Sequence, residues 1–245
     1  MNQFEIIVLF IMSFLPPILY SIWIRNTEKY HREKWSSIWI SFLWGATIAV
    51  IASLILELAF GFIIFSSFEN SSIVAIISII VIAPFVEELT KPLALGLKTV
   101  RKELDELEDG FIYGAVAGLG FSATENLFYG IGFLSEGFLY FLVLISIRSF
   151  GACLLHASST ALTGYGVSKA IIKKHSLLKI FPYFLLAIFV HSLYNSLLTF
   201  NLVGLGLGFF AALALAFFAI QFVRRQIIFL DDQGEKYEKN RNSNT

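Results

Sequence analysis

The run Ile82-Ala-Pro-Phe-Val-Glu-Glu-Leu-Thr-Lys-Pro92 lies inside an apolar segment, roughly Ser72 to Leu97, that is long enough to cross a bilayer. Two adjacent carboxylates and an ammonium at that depth cost about 2.5–3.5 kcal/mol each on insertion-based scales. Glu87 and Lys91 stand four residues apart, so they can pair on one helix face. Pro92 cannot donate to the carbonyl of Glu88, and Pro84 does the same to Ile80. The helix is therefore predicted to bend or open where the glutamates sit. The polar backbone this frees must face protein or water, never lipid.

The rest of the chain reads the same way. It is 57% hydrophobic with a mean hydropathy of +0.75 and 26 phenylalanines, the composition of an integral membrane protein. The fold class expected is an all-α polytopic transmembrane helical bundle of about seven spans, near 4–24, 38–65, 73–97, 111–134, 138–166, 180–200 and 202–223. The first is read as a bent membrane helix and not a cleavable leader, since it lacks a basic start and carries Glu5 and Pro16-Pro17. The second is overlong, so it is expected to tilt or to end at Gly61 with 62–68 at the interface.

Sixteen of the 18 lysines and arginines fall in the connections after spans one, three, five and seven. The positive-inside rule then puts the N-terminus out and the C-terminus in. The Lys98–Asp109 connection reads as a short solvated amphipathic helix. Residues 1–230 form one membrane domain, with a motif core at about 75–200, and the polar tail 231–245 is expected to be disordered and cytoplasmic. Zero net charge gives no reason to expect nucleic acid, and the single cysteine rules out an internal disulfide.

The other polar residues within spans fall at similar depth. Span four carries Glu125 and Asn126 in a stretch whose glycines and alanines permit close helix packing. Span five carries Arg148, which needs a carboxylate or carbonyls facing inward, and His156 with Thr160. Span six carries His191 and Asn195, one turn apart on one face. Each taken singly reads as well as packing glue or a structural ion pair; the set at matched depth reads as a site. Glu57 in span two is read as structural or water-facing.

Carboxylates with imidazoles in a water-filled cavity can activate water and later protonate a leaving amine. A His–Asn pair can hold a developing oxyanion. No His-Glu-x-x-His is present and no aspartate lies within a span, so neither a zincin nor an aspartyl dyad is available. Gly120-Phe-Ser122 is a weak nucleophile signal, and Cys153 reads as a small apolar packing residue. No cofactor is expected, although Glu and His ligands leave zinc open.

Glu87-Glu88-x-x-Lys91, Phe121-x-x-x-Glu125-Asn126, His156-x-x-x-Thr160 and His191-x-x-x-Asn195 resemble, in order, the motifs of the PrsW-type membrane proteases, within the wider CAAX prenyl endopeptidase and bacteriocin-processing superfamily. Asp109-Gly110 and Arg148 look like that family too. The resemblance implies a glutamate-dependent intramembrane endopeptidase. PrsW-type members cleave membrane-spanning anti-sigma factors outside the cytoplasm, and CAAX-type relatives trim prenylated C-termini on the cytoplasmic side. Carried over, Glu87 or Glu88 activates water, Lys91 pairs with the other, and His191 with Asn195 forms the oxyanion site; Arg148 and Asn126 are support. CAAX-type members carry Phe-x-x-x-His where this chain has Glu125, so the assisting imidazole comes from His156 or Glu125 replaces it.

The expected setting is the cell membrane, and the expected partners are lipid and a membrane-protein or lipidated-peptide substrate. Oligomeric state is open. The rival readings are an ion-coupled transporter, which would give flux and no new peptide ends, and a packing scaffold.

Overall fold

A computed structural model describes residues 2–65, 71–200 and 206–243. Among these residues the chain is mostly helical and has no strand, as runs of apolar residues without strand-period alternation dictate. The long helices are α1 (Gln3–Arg25), α2 (Trp35–Phe65) and α3 (Ser71–Gly96). After a one-turn α4 (Lys98–Arg101) come α5 (Leu107–Leu134), α6 (Phe138–Ile172), α7 (Leu177–Phe200) and α8 (Leu207–Ser243).

Six of these are long and apolar enough to cross a membrane: α1, α2, α3, α6, α7 and α8. The remaining expected span, α5, has the length but carries glycines, Glu125 and Asn126 in place of a lipid-facing apolar surface. Burial explains this. Every residue from Glu108 to Ala123 is buried, with α6 along one side and α1 and α2 along others. A helix surrounded by protein needs small residues for close approach, not lipophilic ones. Gly110, Gly114 and Gly118 repeat every fourth residue along the face that meets the α6 backbone at Gly164, Thr160 and His156. On another side, a Cβ on Gly120 would run into the Phe42 carbonyl of α2. So α5 is the axis of the bundle, and the packing expected of its glycines is what it uses.

Several boundaries differ from the sequence expectation. Helix α2 runs through Gly61 to Phe65, and its ladder is relaxed instead by a π turn at Gly45–Ala49, where Gly45 lies against the Ala117 carbonyl. Residues 66–68, expected at the interface, and the connection and span start at 201–205 lie outside the described residues. The Lys98–Asp109 connection holds one helical turn, Lys98–Arg101, before α5 begins at Leu107, and Lys34 pairs with its Glu103 at 2.7 Å. The segment from Asp231, expected to be disordered, continues α8 as helix to Ser243. Asp231 supplies the reason: its buried carboxylate accepts the backbone N–H groups of Lys29 (2.8 Å) and Tyr30 (3.4 Å), pinning α8 to the α1–α2 connection.

Candidate active site

Helix α3 positions the glutamates by changing register twice. A π turn covers Ser78–Ile82, an α segment Ala83–Thr90, and a 3-10 segment Lys91–Gly96. In the π turn the Ala83 N–H bonds the Ser78 carbonyl, so the next acceptor in that register, Ile79, faces Pro84, which has no N–H. The freed carbonyl is therefore that of Ile79 and not of Ile80, and Asn195 Nδ2 of α7 donates to it at 2.9 Å. At the second break, Trp44 Nε1 donates to the Thr90 carbonyl at 3.1 Å. The opened backbone faces protein donors, as a bilayer interior demands.

The two glutamates face different surroundings. Glu88 is fully buried and saturated. Its Oε1 accepts Lys91 Nζ (3.0 Å), Ser159 Oγ (2.9 Å) and His191 Nδ1 (3.0 Å), and its Oε2 accepts Thr160 Oγ1 (3.0 Å). Glu87 Oε2 lies 2.8 Å from Lys91 Nζ, 3.6 Å from His156 Nδ1 and 4.0 Å from His191 Nε2, and is otherwise without a hydrogen-bond partner. The expected Glu87–Lys91 pair is present, and Lys91, completely buried, bridges both glutamates. Thr160→Val is expected to remove about 2 kcal/mol of stability, the worth of a buried hydrogen bond to a charged acceptor, read as a lower Tm in detergent.

The charged neighbours also fix the ring tautomers. Lys91 has only N–H to give, so His156 Nδ1 accepts Lys91 Nζ at 2.8 Å, which leaves the ring proton on Nε2, 2.8 Å from Glu125 Oε2. Both His156 nitrogens are occupied. His191 donates through Nδ1 to Glu88, so its Nε2 carries the lone pair and faces Glu87. Arg148 finds the carboxylate it needed: Nη2 lies 3.0 Å from Glu125 Oε2, Nε donates to Asn126 Oδ1 at 2.9 Å, and the guanidinium covers the Tyr129 ring. Cys153 is buried and receives the Ser122 hydroxyl at 3.3 Å, so that hydroxyl and thiol face each other.

A cavity of about 420 Å³ meets these groups, lined by Glu57, Glu87, Glu125, Arg148, His156, His191 and Asn195. All six residues read as catalytic therefore gather, with Glu88 just behind the wall. Its outer lining, Tyr129, Leu198 and Thr199, lies towards the ends of α5 and α7 that are remote from the basic connections. Glu57, expected to be structural or water-facing, lines this space. Ser159 was missed; its signal was its place three residues after His156 on the same α6 face.

Glu87, His156 and His191 each offer a ligand atom, all within 4.8 Å of one another. One carboxylate and two imidazoles form the donor set of a catalytic zinc site, and each imidazole is held through its other nitrogen by Glu125 or Glu88, as metal-ligating histidines are. The residues fit such an ion, with Lys91 competing for Glu87 and His156.

Protease PrsW of Clostridioides difficile (strain 630) is 33% identical over 122 residues, 49% of this chain and 50% of that protein. The chain thus aligns with about half the length of that curated relative. No solved structure matches. The family described as PrsW family intramembrane metalloprotease matches residues 33–223, well over half of the chain, and the protein belongs to that family.

Proposed function

We propose that this multi-pass membrane protein is an intramembrane endopeptidase in which Glu87 activates water for attack on a peptide bond. The observation that carries this reading is the contrast between the glutamates: Glu88 has its acceptor sites filled, whereas Glu87 faces the cavity beside His191 Nε2. Two acceptors 4.0 Å apart are spaced for one water that donates to both. Glu87 takes the proton as the water oxygen attacks the carbonyl carbon, and returns it to the leaving amine as the C–N bond breaks. Asn195, anchored on Ile79, has a second amide N–H for the developing oxyanion. Lys91, held by Glu88 and His156, pairs with Glu87 and fixes its carboxylate at the cavity wall. Glu125, with Arg148 and Asn126, orients His156. Glu87, His156 and His191 would hold a zinc-type ion, which when bound supplies a more acidic water and polarises the carbonyl.

The proposed topology has seven crossings of the cell membrane, with α5 as the enclosed one, the N-terminus outside and the basic connections in the cytoplasm. The cavity then opens outward, which favours substrates cut near the outer face, such as the membrane-spanning anti-sigma factors of PrsW-type members, over prenylated cytoplasmic tails. The test compares new N-termini by mass spectrometry in host membranes containing wild type or Glu87→Gln at equal levels. Termini in or beside membrane spans that vanish in the variant are expected. No difference between two folded, abundant proteins would overturn the reading in favour of transport or packing.

A further inference from the structure

A second group of buried carboxylates lies at the other end of the bundle, where the α1–α2 connection meets the start of α5. Glu28, Glu106 and Asp109 each offer a carboxylate oxygen, all within 4.8 Å of one another. Independently of that cluster, Glu28 Oε1 is buried with no hydrogen-bond partner, on a residue with 0% exposure. The Oε1 atoms of Glu33 and Glu108 beside it are likewise buried and unpartnered. The other oxygens of the group are used: Glu28 Oε2 accepts the Glu33 N–H at 3.2 Å, Glu33 Oε2 accepts the Tyr113 hydroxyl, and Asp109 Oδ2 accepts the N–H groups of Asp105 (2.9 Å) and Glu106 (2.7 Å).

Four basic side chains of the α1–α2 connection bond elsewhere. Arg25 and Arg32 donate to the backbone carbonyls of Glu33 and Glu28, Lys34 pairs with Glu103, and Lys29 with Asp232. Buried carboxylate oxygens left without a partner are an unfavourable arrangement for a chain to keep.

We propose that Glu28, Glu106 and Asp109 bind one hard divalent cation that ties the α1–α2 connection to the start of α5. The donors are all oxygens, with neither thiolate nor imidazole, which selects calcium, magnesium or manganese over zinc or copper. With one oxygen from each carboxylate within 4.8 Å of the others, the three are close enough to share one ion. A solvent-open cavity of about 600 Å³, lined by Glu33, Asp105 and Glu106, provides the way in. Asp231, bonded to the same connection, extends the tie to α8.

The test uses the full-length protein in detergent, stripped with EDTA, with thermal unfolding measured at neutral pH after adding millimolar calcium, magnesium or manganese separately. Wild type should gain roughly 5 °C or more with at least one ion. Glu28→Gln and Glu106→Gln should abolish the gain, and Glu87→Gln, in the distant site, should keep it. Glu28→Gln without ions should be about as stable as wild type, since Glu28 Oε1 has no hydrogen bond to lose. Should either variant fail to fold, terbium luminescence of wild type, excited through nearby Tyr113 and displaced by calcium, replaces it as the readout. No gain with any ion, or an equal gain in both cluster variants, overturns the proposal.

Discussion

Glu87→Gln is expected to abolish cleavage, by at least about 10³-fold in kcat, while leaving the Tm within a few degrees of wild type. Glu88→Gln is expected to behave differently, losing stability as well as activity. The difference follows from what each carboxylate touches. Glu87 Oε2 has one ion-pair partner, Lys91, and otherwise faces the cavity. An amide there keeps the shape and loses the base. Glu88 organises Lys91, Ser159, Thr160 and His191 at once, and Lys91 has no exposure to water. Removing its charge strands a buried ammonium on Glu87 alone, at about 3–5 kcal/mol, and releases the His191 ring. Thermal unfolding and turnover measured on both purified variants check this. Equal loss of stability in the two would contradict the division of labour.

The second large effect is expected at Gly118. A Cβ there would meet the His156 carbonyl oxygen, with the carbonyl carbon at 2.7 Å and Ala157 N at 3.1 Å, all rigid helix backbone. Nothing flexible can move aside, so α5 and α6 must separate. Gly118→Val should therefore lower stability by about 3 kcal/mol or more and cut activity far beyond what the lost folded fraction explains. His156 moves with α6, and its bonds to Lys91 and Glu125 join elements on opposite sides of the cavity. Gly132 has open space around its missing Cβ, so Gly132→Ala is the matched control and should be close to neutral. Full activity in a folded Gly118→Val protein would contradict the close-packed axis.

What the sequence made legible was chemistry with a fixed local spacing. Glu87 and Lys91 pair because four residues make one helical turn. Arg148 needed a carboxylate because an isolated guanidinium is too costly in a membrane, and Glu125 answers it. What it left hidden depends on helix rotation and on contacts between distant segments. That Glu88 is the saturated carboxylate follows only once α6 is turned to present Ser159 and Thr160 to it. The shift of the freed carbonyl from Ile80 to Ile79 required knowing that the ladder before Pro84 runs in π register. The continuation of α8 past Asp231 rests on contacts made about 200 positions away, and the Glu28–Asp109 cluster joins a loop read only for its basic charge to a helix start read only as a motif.

Direct attack by Glu87-activated water makes no covalent bond between protein and substrate, and this can be measured. Once a cleaved substrate is in hand, cleavage is run with and without hydroxylamine, and the new C-terminus is weighed by mass spectrometry. The account predicts a free carboxylate in both cases and no substrate-derived mass on the protein. A hydroxamate at the new C-terminus, or an acylated Ser122 or Cys153, would contradict it.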